Sequence, residues 1–95
     1  MSRRRFLIGY DIADPKRLRR VIKIMEAYGT RLQYSVFICD LTASEELMWR
    51  TNILDVVKLA EDSVVSIELG PTVKPTQIKM IGVPRQLPAQ GVQIV

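Results

Sequence analysis

The 95-residue chain has no histidine and one cysteine, Cys39. Without histidine, Ser-His-Asp and Cys-His catalysis, a histidine acid/base pair and a Cys/His zinc site within one chain are all excluded. A single cysteine excludes an intramolecular disulfide and suits a reducing compartment. No apolar run approaches the roughly 20 residues of a membrane span, and the N-terminus lacks signal-peptide architecture, so a soluble, cytoplasmic chain with no membrane partner is expected. Neither a Walker loop nor a GxGxxG stretch occurs. Any chemistry must therefore come from carboxylates, hydroxyls, Lys/Arg and a hard metal such as magnesium. Aromatics are also scarce (two Phe, three Tyr, one Trp), and nothing matches the RNP signature, so sequence-specific RNA readout by stacking is not expected. Cys39 reads as a packing residue and Trp49 as a packing or interface residue.

What is present is charge, unevenly placed. Residues 1–31 carry nine Lys/Arg and three Asp/Glu, a balance of +6; residues 32–95 carry five and seven, a balance of −2. A basic half suits a phosphate-bearing partner, although a solvated cationic face would look the same. With 47% hydrophobic and 25% charged residues, the chain reads as one small globular domain over 1–83, followed by a tail over 84–95.

Hydrophobic periodicity orders the elements. Arg5–Asp11 reads as a strand, with Phe6, Ile8 and Tyr10 on one face and Leu7, Gly9 and Asp11 on the other. Asp14 is a good N-cap and Pro15 fits the first helical position. Leu18, Val21, Ile22, Met25 and Tyr28 then recur at helical spacing, with Ile24 on the flank, until Gly29 closes the helix. Lys16, Arg19, Arg20 and Lys23 lie off that arc as a basic stripe. "RLQYSVFICDL", Arg31 to Leu41, is either one bent strand or two strands about a kink near Tyr34. Thr42–Glu45 is a capping box that opens a second helix. That helix is expected to carry Leu47, Met48, Leu54, Val57 and Ala60 and to end near Glu61. Ser63–Leu69 and "TQIKMIGV" read as further strands, separated by the turn residues of Gly70–Pro75.

This order predicts an α+β, ferredoxin-like βαββαβ sandwich with an extra C-terminal strand. Two helices cover one face of such a sheet, yet the strands are apolar on both faces. A two-fold homodimer with its sheets stacked face to face is the expected cover, the tail pairing with the partner protomer.

Among five aspartates, Asp14 is accounted for as a cap, and Asp40, Asp55 and Asp62 read as solvated. Asp11 remains, at a strand end inside an arginine-rich stretch. It is either paired with Arg17 or Arg20, or it holds a cation. Magnesium often takes one or two carboxylates, the rest of its shell being water and phosphate oxygens. Asp11 and its two-fold mate would supply two.

"YDI" at the end of the first strand, the Arg-rich first helix, and Gly29, Arg31, Gln33, Ser35, Val36 and Phe37 within "YGTRLQYSVF" together resemble the CRISPR-associated Cas-two family. "DSVVSIELG" is similar to that family's fourth strand, and the resemblance covers essentially the whole chain. It implies a ferredoxin-like homodimer and a role in spacer acquisition, in which the dimer binds duplex DNA beside the Cas-one integrase. Some members resemble metal-dependent endonucleases on RNA or DNA; others act only as scaffolds. The resemblance places the metal ligand, for Mg2+ or another divalent cation, on Asp11, and the remaining catalytic positions on Tyr10, Arg20, Arg31 and Phe37. For a second helix arginine of the family, Leu18 occupies one possible position, with Arg17 and Arg19 on either side. Lys16, Arg17, Arg19, Arg20, Lys23 and Arg31 are the expected nucleic-acid contacts. The competing readings are a purely architectural DNA-binding subunit and a small-molecule-binding regulatory domain of the same fold.

Overall fold

A computed structural model describes residues 2–83 and 92–94. Strand β1 (Arg4–Asp11) leads into helix α1 (Pro15–Tyr28), then β2 (Thr30–Gln33), β3 (Val36–Leu41), helix α2 (Ala43–Val56) and β4 (Ser63–Pro71). These strands form one antiparallel sheet in the order β2-β3-β1-β4, the ferredoxin-like arrangement. Short strands β5 (Ile78–Met80) and β6 (Val92–Ile94) pair in parallel as a separate ribbon. The pairing of the tail with a partner protomer falls largely on residues 84–91 and 95, outside the described residues. The two-strand reading of "RLQYSVFICDL" holds: Tyr34 and Ser35 form a turn between β2 and β3.

Both helix starts follow their capping chemistry. The Asp14 carboxylate accepts the Arg17 N–H at 2.9 Å, and Pro15 opens α1. Thr42 and Glu45 close a reciprocal capping box on α2. Gly29 ends α1 for a different reason from the one expected. Its backbone is extended, not left-handed, so it is no conformational cap. Instead a Cβ there would collide with the Ile38 carbonyl oxygen and the Cys39 sulfur. Helix α1 needs a residue without a side chain to pass this close to β3.

The core lies between the helices and one face of the sheet. Ile8, Tyr10, Phe37 and Cys39 from the strands meet Val21 and Met25 of α1 and Trp49 and Ile53 of α2. The Trp49 indole N–H points to the Met25 sulfur at 3.2 Å. Here the expected face of α2 is overturned. The helix ends at Val56, buries Trp49 and Ile53, and leaves Leu47, Met48 and Leu54 exposed. Helix α2 carries two apolar arcs, and the bulky indole fills the space above the sheet.

The opposite face of the sheet is apolar too, as the strand pattern requires. Register places Leu7 beside Ile38 and Ile67, and Gly9 beside Val36 and Val65. Ile38 is buried, but Val65 and Ile67 stand in solvent.

Two aspartates expected to be solvated are not. Asp40 accepts both Nε and Nη2 of Arg5, at 2.8 and 2.9 Å, and Arg5 is only 2% exposed. Hydrogen bonding to Asp40 raises the Arg5 pKa further. The Asp62 carboxylate accepts the Ala13 and Lys58 backbone N–H groups, at 2.9 and 2.8 Å, and two bonds from Arg17, at 2.8 and 3.1 Å. Arg17 above all, with those backbone donors, holds the Asp62 carboxyl well below the usual carboxylate range.

Candidate active site at the end of strand β1

The C-terminal end of β1 carries Tyr10 and Asp11 on opposite faces, because side chains alternate along a strand. Tyr10 turns into the core. Its ring packs against Phe37 with centroids 6.2 Å apart, and its hydroxyl donates to the Tyr34 carbonyl at 2.9 Å. The Tyr10 backbone N–H donates to the Ser35 carbonyl at 3.1 Å. Two bonds thus fasten the β2–β3 turn to the residue preceding Asp11. Burial pushes the Tyr10 phenol above its ordinary pKa, and the neighbouring Arg31 guanidinium opposes that shift.

Arg31 reaches this cluster from β2, where register sets it opposite Phe37. Its guanidinium carbon lies 5.3 Å from the Phe37 ring centroid and 5.7 Å from that of Tyr34. A planar cation close to two aromatic rings is a stable cation–π arrangement. Tyr10, Arg31 and Phe37 therefore come together, as a group, on the helix side of the sheet.

Asp11 does not join them. It is exposed on the other face, with Ser63 of β4 opposite in register. Among the described residues it makes no ion pair and no side-chain hydrogen bond. The pairing with Arg17 or Arg20 that would have made it structural is not present: Arg17 belongs to Asp62 and Glu61, and Arg20 is exposed on α1. Lys16, Arg19 and Lys23 are exposed on the same helix.

As a cation site, one chain offers little. Asp11 lies opposite Ser63 in register at this end of β1, and among the described residues no group of three metal-ligating side chains occurs. A closed protein cage is therefore absent from the described residues. A hard ion that keeps most of its water fits such a donor set, provided a second carboxylate arrives from elsewhere.

Three features escaped the sequence reading. The Arg5–Asp40 and Arg17–Asp62 pairs join residues 35 and 45 positions apart, beyond any local pattern. Tyr34, which spacing marks only as a kink, is 61% exposed, beside Arg31. The strand–turn–strand break around it was the signal available.

The Cas-two resemblance is matched by other proteins. The family model described as CRISPR associated protein Cas2 matches residues 4–74. A CRISPR-associated endoribonuclease Cas2 of Geobacter sulfurreducens is 38% identical over 79 residues, covering 81% of this chain and 82% of that one. A second from Thermodesulfovibrio yellowstonii is 34% identical over 89 residues, covering 94% and 93%. A third, from Rhodospirillum rubrum, is 38% identical over 66 residues, which span 70% of this chain and 65% of that relative. Among solved structures, Streptococcus pyogenes Cas2 superposes with a TM-score of 0.62 at 32% identity, covering 66% of this chain and 82% of that one. A hypothetical protein from Thermus thermophilus superposes at 0.77 with 25% identity, covering 88% and 96%. With the family model matching from the first strand through the fourth, and relatives 34–38% identical over most of both chains, the chain belongs to the Cas2 family.

Proposed function

We propose that the chain acts in CRISPR adaptation as a two-fold homodimer. It binds nucleic acid through α1 and cleaves phosphodiesters with a magnesium-class cation held between Asp11 and the Asp11 of a second copy. The observation that carries this reading is Asp11 itself. It stands exposed and unmatched among the described residues, while the arginines around it in sequence are either matched elsewhere or exposed on α1. Stacking the apolar outer face, with its exposed Val65 and Ile67, would cover that face and bring the two strand ends toward each other. That the relatives from Rhodospirillum rubrum and Geobacter sulfurreducens are CRISPR-associated endoribonucleases supports the hydrolytic part.

A bound cation supplies Lewis acidity toward the phosphate and acidifies a water. The chain's own residues supply position. Lys16, Arg19, Arg20 and Lys23 meet phosphates as exposed charges, which gives affinity without sequence preference. Arg17 is engaged by Asp62 and chiefly fixes the start of α1. Tyr10, Arg31 and Phe37 hold the strand end and its adjoining turn in place. Duplex DNA beside the Cas-one integrase is the physiological setting that the family resemblance implies.

One observation favours a purely architectural subunit as the second reading. The Tyr10–Arg31–Phe37 cluster lies on the face of the sheet opposite Asp11, so these residues act on the site through the backbone. Asp11→Asn decides between the two. It keeps size and removes the charge that a hard cation requires. On the catalytic reading, light scattering gives about 22 kDa for both proteins, twice the 10.8 kDa chain. Both bind duplex DNA equally, and magnesium-dependent cleavage of RNA or DNA falls to background in the variant. Absence of cleavage in the parent as well, with binding intact, would establish the architectural reading.

A further inference from the structure

Asp62 sits one residue before Ser63, which faces Asp11 across the β1–β4 ladder. Past Asp11 the chain leaves the sheet, and residues 12–14 carry it to α1. The bond from the Ala13 N–H to the Asp62 carboxylate, 2.9 Å long, falls inside that crossing. Asp11 and Ala13 are therefore tied to one dipeptide, Asp62–Ser63, the first by strand register and the second by a side chain. That anchor is itself tightly held. The Asp62 side chain is fully enclosed. The Asp62 backbone N–H donates to the Lys58 carbonyl at 2.8 Å, and the Lys58 N–H returns to the carboxylate at 2.8 Å. The Arg17 fork adds two bonds, of 2.8 and 3.1 Å. Helix α1 does not need Asp62 in order to begin, because Asp14 already caps it.

We propose that Asp62 is a positioning residue for Asp11: by holding the backbone two residues beyond it, Asp62 fixes where the strand-end carboxylate points. The inference rests on the cation-binding reading above and adds to it a residue that acts on the site through the backbone. The Asp11 side chain has no bond of its own among the described residues, so its direction is only as definite as the backbone beneath it. The demand is stricter here than in a closed cage, because one ion must be met by two carboxylates from two chains. A loosened strand end then counts twice, once in each copy. Partners that orient a metal ligand in this way typically cost about 10–100-fold in affinity when removed.

The test measures Mn2+ uptake, read from the loss of the free-ion electron paramagnetic resonance signal. Mn2+ takes the same oxygen donors as magnesium. The proteins are the parent, Asp62→Ala, Asp62→Asn, Asp11→Asn and Leu41→Val. Alanine removes all four bonds to the Asp62 carboxylate, whereas asparagine keeps one acceptor oxygen. Leu41→Val trims a buried side chain opposite Arg4, at the far end of β1, and costs about 1 kcal/mol of stability. The expected result for Asp62→Ala is a dimer, twice the 10.8 kDa chain, with Mn2+ affinity about tenfold below the parent. Asp62→Asn should fall between the two, and Leu41→Val should match the parent. Parent-like uptake by Asp62→Ala would overturn the positioning role. So would an equal weakening in Leu41→Val, which would trace the effect to stability alone, or dissociation of Asp62→Ala into monomers. Should Asp62→Ala not fold, parent-like uptake by Asp62→Asn, with its melting temperature lowered, overturns the role instead. A parent that takes up no more Mn2+ than Asp11→Asn is a different failure: the cation reading itself falls, and this role with it.

Discussion

The two ends of β1 treat charge in opposite ways. At its start, Arg3, Arg4 and Arg5 each meet a carboxylate: Glu45, Glu68 and Asp40. Arg5 is enclosed, with two hydrogen bonds to one carboxylate. At its far end Asp11 stands in solvent with no matching cation among the described residues. The contrast shows that crowding in the sequence is a poor guide to neutralisation in space. Of the arginines flanking Asp11, Arg3, Arg4 and Arg5 find partners on α2, β4 and β3, Arg17 turns to Asp62 in the α2–β4 connection, and Arg19 and Arg20 stay exposed on α1. A structural carboxylate is recognised by its bonds, and among the described residues Asp11 has none of that kind.

The largest effect on stability should come from the matched end. Arg5→Ala leaves Asp40 beside the core without its donors, and about 3 kcal/mol of folding free energy should be lost. For a domain of this size that is roughly 15 °C in melting temperature. Combining Arg5→Met with Asp40→Leu should recover most of the loss, because an apolar pair leaves no buried charge unmatched. If Arg5→Ala melts with the parent, the two ends are not different in kind.

A smaller effect is expected at Asp62, and it depends on pH. Arg17 lowers the Asp62 pKa below its ordinary 3.8. The charged carboxylate therefore contributes stability that is fully present above that value and is lost as pH falls below it toward the folded-state pKa. Asp62→Asn should melt below the parent at neutral pH, and the gap should narrow once the pH drops under about 4. A gap independent of pH would mean that the Asp62 hydrogen bonds matter and its charge does not.

The smallest effect belongs to Asp11. Because its side chain bonds to nothing among the described residues, Asp11→Asn should leave the melting temperature unchanged by calorimetry. A large loss would show that Asp11 neutralises its surroundings after all, and the two ends of β1 would become alike.

Much of this fold was readable along the chain. Alternation gave β1 and its two faces, and the Asp14 and Thr42–Glu45 caps located both helix starts, because such signals lie within a few residues. Helix α2 resisted because Leu47, Met48 and Leu54 form an apolar arc as convincing as that of Trp49 and Ile53. Which arc faces the sheet depends on the volume to be filled above Phe37 and Cys39. The ion pairs resisted for the same reason: Arg4 and Glu68 are 64 residues apart and meet only once β1 and β4 are paired. At the site, alternation already separated Tyr10 from Asp11. The exposure of Tyr34 depends on where the β2–β3 turn packs, which spacing alone does not state.

Cys39 offers a clock for the whole domain. Its thiol is fully buried, lies where α1 passes β3 at Gly29, and is pushed up to about 12 in pKa, chiefly by burial. Alkylating reagents attack thiolates, so in the folded chain this sulfur is silent twice over, by access and by protonation. Since the chain has no other cysteine, the rate at which a maleimide labels it counts the moments when helix and sheet part company. Labelling with and without nucleic acid would then report how far a ligand at the strand ends stills the core beneath them.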